Sequence, residues 1–189
     1  MTTQLVLENG FAGTTIDQIL AKTQITKGAF FYHFKSKSDL AYYLMRHFAD
    51  SDMSVMNRVL ADTQGHERNA LERLIAFVDW FVAEFEGLNE PYMCLYASYL
   101  YEPEQFSDDT KQIVADSILL WRKELEELLE GAKKQVPSHV EFDLASLADH
   151  FTVIMEGAFI VSKALNDPSL TAQHLLHYKK YLELIFRVK

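Results

Sequence analysis

The sequence predicts an all-α protein: a three-helix helix-turn-helix head followed by a helical bundle, about nine helices in all. Three observations carry that expectation. Gly and Pro are scarce, at 7 and 4 of 189 residues, so few positions interrupt a helix. Apolar residues recur at spacings of three and four over long stretches, and no run sustains the two-residue alternation of a strand. Hydrophobic residues make up 49% of the chain, enough to bury a sizeable core and to exclude a disordered or collagen-like chain.

Helix breaks are read at residues 10–13, 24–25, 35–36, 65, 87–91, 103–107, 135–138 and 166–168, where Gly, Pro or short polar residues cluster. The first helix precedes the break at 10–13. Thr15-Ile16-Asp17-Gln18 has the form of a capping box, which starts the second helix at Thr14 or Thr15, with Ile16, Ile19 and Leu20 on its buried side. After the turn at Gln24 and Ile25, Thr26 caps a third short helix. Phe30 and Phe34 of that helix are expected in the head's core. Ser36 caps a long helix running to about Thr63, and the boundary between a head (1–48) and a C-terminal domain (49–189) falls inside it.

Between Gly65 and Gly87, the residues Leu71, Leu74, Ile75, Val78, Phe81, Val82 and Phe85 share one helical face, and Phe77 and Trp80 lie beside it. The segment 92–101 is rich in Tyr, and residues 107–135 form the next helix. From Asp143 to Asn166, Leu144, Leu147, Phe151, Ile154, Met155, Ala158 and Leu165 form one face, while Gly157, Val161 and Ala164 form a second strip of smaller residues. Small side chains let another helix approach closely, and the expected partner is a second copy of the chain.

The formal charge of −9 is unevenly placed. Of 18 basic and 27 acidic residues, 5 and 4 lie within the first fifty, so those carry +1 and the remainder −10. The single cysteine, Cys94, makes no intrachain disulfide, and the first ten residues lack a signal peptide's basic start and apolar run. The most apolar stretch, residues 151–161, is interrupted by Glu156 and falls short of the roughly 18 residues that span a bilayer. The expectation is a cytoplasmic protein with no membrane partner.

Two short helices joined by a tight turn, the second opening with Thr26 and Lys27, describe a helix-turn-helix. In such a unit the start of the second helix enters the major groove of DNA, and small residues such as Gly28 and Ala29 let the backbone approach the base edges. The runs GFAGTTIDQIL at residues 10–20 and ITKGAFFYHFKSKSDL at residues 25–40 resemble, without a gap, the DNA-binding domain of the TetR family of bacterial transcriptional regulators. The resemblance implies a homodimeric repressor that binds a palindromic operator of double-stranded DNA and releases it on binding a small effector. It also implies that the last two long helices form the dimer interface. Carried over by position, Thr26, Lys27, Gly28 and Ala29 would touch base edges and nearby phosphates, and Thr15, Tyr32, His33 and Lys37 would touch phosphates. Helix capping is the alternative for Thr15 and Thr26, and a solvated charge for Lys27 and Lys37. Two departures from the family pattern stand out. Gln24 occupies a turn position usually held by Gly, at a cost of about 1 kcal/mol if the left-handed region is required. The first helix is also shorter than the pattern, so the head either begins further upstream or is reduced.

For the effector, Phe77, Trp80, Tyr92, Cys94, Tyr96, Tyr99, Trp121, Phe151, Met155 and Phe159 are candidate lining, because adaptable aromatic and Met walls suit an apolar or aromatic ligand; ordinary core is the alternative. Gly157, Val161 and Ala164 are the candidate dimer interface. Cys94 has no Lys or Arg close in sequence to lower its pKa and is read as a buried thiol, with redox or electrophile sensing as the alternative. A helical adaptor that kept the fold without DNA is the other alternative reading. No cofactor, metal site or enzymatic activity is expected: no Glu precedes any of the seven His by three positions, and G-x-S-x-G, H-E-x-x-H and P-loop motifs are absent. His174 and His177 form an i, i+3 pair with no carboxylate or Cys partner evident nearby.

Overall fold

Local sequence signals set most helix ends in the computed structural model, which describes residues 1–65 and 69–186. Among the described residues there are nine α-helices, a short 3-10 turn at Pro103–Gln105 and no strand. The helices are α1 (Thr2–Gly13), α2 (Ile16–Thr23), α3 (Lys27–His33), α4 (Lys37–Asp62), α5 (Ala70–Glu86), α6 (Leu95–Tyr101), α7 (Asp108–Gln135), α8 (Leu144–Leu165) and α9 (Ser169–Phe186). The residues gather into two compact units, one built from Met1–Met53 and Met93–Ser117, the other from Ser54–Tyr92 and from Ile118 onward.

In the first unit, α1 bends rather than ends at Gly10, whose φ of 73° lies in the left-handed region that glycine tolerates. The helix resumes for one more turn to Gly13. Thr14 closes the segment: its hydroxyl donates to the carbonyls of Gly10 at 2.8 Å and Leu5 at 3.2 Å. Ile19, Phe30 and Leu40 form the buried centre of the head, with Leu5, Ile16, Leu20, Phe34 and Leu44 packed around it. Each of the first four helices thus contributes to one small core. The α6 segment packs on α1, and Phe11 lies 4.7 Å from Phe106, ring centre to ring centre.

The second unit is a bundle in which α5 and α8 both pack on α9. Asn69 starts α5 through a capping box with Glu72, and Asp143 caps α8 by accepting from the Ser146 amide at 2.7 Å. Asn166 ends α8 in the left-handed conformation. Tyr178 is fully buried and donates its hydroxyl to the Leu147 carbonyl at 3.0 Å, so its polar atom is satisfied inside the apolar core. Ion pairs join helices: Lys179 with Asp79 at 2.7 Å, and Arg122 with Asp149 through two parallel hydrogen bonds of 2.7 Å. The apolar run is not confined to residues 151–161, because all of Leu144–Leu165 is long and apolar enough to cross a membrane by composition. One side of it is nevertheless core: Leu147, Ala148, Phe151, Ala158 and Phe159 are buried.

Candidate nucleic-acid interface and effector region

The helix-turn-helix is held by its caps. Thr15 Oγ1 accepts from the Gln18 amide at 3.2 Å, and Gln18 Oε1 accepts from the Thr15 amide at 2.7 Å, completing the capping box of α2. Gln24 ends that helix with φ 58° and ψ 27°, so the turn reaches its left-handed geometry with a side chain present. Thr26 then caps α3 by accepting from the Ala29 amide at 3.1 Å. Ser36 caps α4 through the Asp39 amide at 3.0 Å, and Asp39 accepts from the Lys35 amide at 2.8 Å.

This frame leaves one side of α3 open. Phe30 is 1% exposed, whereas Lys27, Gly28, Ala29 and His33 are exposed and Tyr32 is 85% exposed. Phe31 is also half-exposed, so only Phe30 and Phe34 serve the core. The nearest atom to a Cβ placed on Gly28 is Thr26 Oγ1 at 3.9 Å, an ordinary contact. Nothing within the chain demands glycine there, although glycine inside a helix costs about 1 kcal/mol relative to alanine. The absence of a side chain at the open start of a helix makes room for a surface from outside the chain.

Lys37 is placed differently from Lys27. It is half-buried, its Nζ donates to the Ala12 carbonyl at 3.2 Å, and it lies 4.6 Å from the centre of the Phe11 ring. Burial pulls its pKa below the ordinary lysine value, partly opposed by the nearby Glu102 carboxylate.

The aromatic residues expected around an effector fall into both units. In the second, Phe77, Phe81, Trp121 and Phe151 make one ring cluster: Phe151 lies 5.5 Å from Phe77, 5.4 Å from Phe81 and, stacked, 6.0 Å from Trp121. Phe85, Tyr92 and Phe159 make another, with Tyr92 and Phe159 4.9 Å apart. Phe77 is fully buried, and Trp80 packs on Phe81 while its indole N–H donates to Asp62 at 3.0 Å. Met155 is half-buried on α8. Cys94, Tyr96 and Tyr99 belong to the first unit. Cys94 is buried at the start of α6; Tyr96 packs on Phe48 and donates to Asp52 at 3.3 Å; Tyr99 packs on Phe106. Burial raises the Tyr96 phenol well above its usual pKa. The segment 92–101 is thus divided, with Tyr92 in the second unit and residues from Met93 in the first.

Gly157, Val161 and Ala164 are all exposed, and they lie along α8 with exposed Val153, Ile160 and Leu165. His174 and His177 have ring centres 6.1 Å apart, and no cluster of three potential metal ligands occurs among the described residues.

Three features escaped the sequence reading. One is an open cleft of about 290 Å³ in the second unit, lined by Phe142, Asp143, Ser146, Leu147, His150 and Tyr181. The others are Asp52 as partner of Tyr96, and Glu102, whose carboxylate accepts from the Ala12 amide ninety residues away. Only Asp143, at the start of its helix, carried a local signal.

Residues 2–44 match the family described as bacterial regulatory proteins, tetR family, and residues 70–177 match a tetracyclin repressor-like C-terminal domain. Among curated proteins, the chain is 24% identical over 140 residues to an uncharacterized HTH-type transcriptional regulator in the lacX 3′ region of Lactococcus lactis, covering 74% of this chain and 64% of that one. It is 26% identical over 129 residues to IcaR of Staphylococcus aureus, the HTH-type negative transcriptional regulator of the biofilm operon icaADBC, covering 68% and 66%. The chain spans just under two thirds of the length of these relatives. Similar solved structures include a TetR-family regulator from Agrobacterium tumefaciens (TM-score 0.76, 19% identity, 98% of this chain and 93% of that one). A TetR regulator from Chloroflexus aurantiacus is also similar (TM-score 0.69, 27% identity, 95% and 88%).

Proposed function

Because the chain belongs to the TetR family of bacterial transcriptional regulators, we propose that it is a cytoplasmic repressor that binds a palindromic operator as a homodimer and lets go of it when a small apolar or aromatic effector binds. The observation that carries DNA recognition is the open start of α3, where Lys27 is exposed beside a Gly28 whose lack of a side chain no internal contact explains. Thr26, Lys27, Gly28 and Ala29 read base edges, and Thr15, Tyr32, His33 and Lys37 meet phosphates. Residues 1–48 form the head, and residues 49–189 bind the effector and dimerise. Two heads related by two-fold symmetry sit in successive major grooves about 34–36 Å apart. Repression rather than activation is favoured by the negative regulator among the relatives. Exposed apolar residues along α8, with Leu176, Tyr181 and Leu184 on α9, favour a second copy as the partner.

The effector is assigned to the aromatic groups of the C-terminal domain, among which Trp80 is half-buried. The test is selection of duplexes from a random pool by the purified protein. The expected result is an enriched inverted repeat protected as two half-sites; failure to enrich any sequence refutes the regulator reading. A panel of small aromatic compounds should then contain ligands that raise the melting temperature and weaken binding to the selected duplex by about 1–3 kcal/mol. Trp80→Ala should reduce that coupling while leaving ligand-free DNA binding near normal. Ligands that stabilise the protein without changing DNA affinity would refute the effector reading.

A further inference from the structure

We propose that Glu102, which is far from the head in sequence, is a positioning residue for DNA recognition: its carboxylate holds the turn at residues 10–13 and so sets where Thr15 and Lys37 meet DNA. The inference rests on the DNA-binding reading above.

The turn is built around this carboxylate. Gly10, at φ 73°, has no Cβ, and a Cβ built there would lie 2.5 Å from Glu102 Oε1. The other carboxylate oxygen accepts from the Ala12 amide, a charge-assisted bond to the last turn of α1. On the same peptide segment Lys37, the first residue of α4, donates to the Ala12 carbonyl, and its ammonium is attracted to Glu102. Beneath them Phe11, Phe106 and Tyr99 pack ring on ring. Glu102 therefore ties the residues following α6 to the end of α1 and, through Lys37, to the start of α4. Thr14 and Thr15 follow this turn directly, and Thr15 caps α2, so a loosened turn lets α2 and the helix-turn-helix it begins drift relative to α4. All of these residues lie in one compact unit.

The test uses the full chain and a duplex that the wild-type protein selects from a random pool, together with NMR exchange of the Ala12 amide without DNA. Glu102→Ala and the charged but shorter Glu102→Asp are each expected to weaken binding about tenfold, the size of one lost charge-assisted hydrogen bond. Both should also speed Ala12 amide exchange about tenfold. Glu102→Gln keeps an acceptor while removing a negative charge beside Lys37. It should retain slow exchange and bind DNA as tightly as wild type or more tightly. A purely electrostatic role would move Glu102→Ala and Glu102→Gln in the same direction, so weaker binding in Glu102→Ala without weaker binding in Glu102→Gln identifies positioning. Wild-type affinity in both Glu102→Ala and Glu102→Asp overturns the proposal, as does an unchanged Ala12 exchange rate. If the wild type selects no duplex, the regulator reading itself fails and the proposal falls with it. If it selects one and the substitutions are silent, only the role of Glu102 is refuted.

Discussion

Gly157→Leu should act in opposite directions on the single chain and on the dimer. A Cβ at Gly157 has no atom within 4 Å, so in the isolated chain a leucine there meets solvent. Replacing an exposed helical glycine favours the helix by about 0.5–1 kcal/mol. In a dimer packed through this strip the added side chain meets the partner instead. Overpacking a well-fitted contact costs about 1–3 kcal/mol, and two-fold symmetry places the substitution in the interface twice. Dimer dissociation should therefore become easier by about 2–6 kcal/mol, or roughly 30-fold to 20,000-fold in Kd. Sedimentation equilibrium of both proteins reads this directly. Thermal unfolding over a dilution series supplies the second reading: the wild-type midpoint falls with dilution, and that dependence disappears in the variant. Either a Gly157→Leu dimer as tight as wild type or a wild type that is monomeric at micromolar concentration would refute the reasoning.

Lys27→Ala should weaken binding to the selected operator by about 1–3 kcal/mol and relax its sequence preference, as read by competition between operator and scrambled duplexes. Lys37→Ala should weaken all sequences alike and lower the salt slope by about one unit; because Lys37 also bonds the Ala12 carbonyl, it should lower the melting temperature as well. Gln24→Gly removes a side chain from a left-handed residue and should stabilise the protein by about 0.5–1 kcal/mol in urea denaturation, since relief of about 1–2 kcal/mol is partly offset by a more flexible unfolded chain. Burial raises the Tyr178 phenol well above its ordinary pKa, so the folded state keeps its proton where the unfolded chain loses it. Its contribution to stability is thus full below about pH 10 and lost progressively above it. Urea midpoints for Tyr178→Phe should be lower at neutral pH and fall less steeply in alkali.

What was legible from the sequence was set by neighbours in the chain. The capping box of Thr15 and Gln18, the cap at Thr26 and the left-handed turn at Gln24 each involve groups within three or four residues of one another. Scarce Gly and Pro together with helical periodicity were enough to place the nine helices of the described residues within a few residues. Gly10 reads as a helix break in the sequence, because glycine there signals a change of backbone direction without saying whether the helix resumes. It does resume, and the amide of its next turn donates to the distant Glu102 carboxylate.

Periodicity also singled out the aromatic residues without sorting them. The packing of α5, α7, α8 and α9 decided that Phe77 and Phe151 are core, and the passage of the chain from one unit to the other between Tyr92 and Met93 separated Tyr92 from Cys94, Tyr96 and Tyr99. Asp52 became the partner of Tyr96, and Lys37 turned inward to Ala12, for the same reason. A buried or half-buried polar group must find a partner, and the one it finds is whichever group the packing of distant helices brings within about 3 Å. Caps are satisfied inside one turn of chain and can be read there, whereas these pairs come into being only when the helices pack.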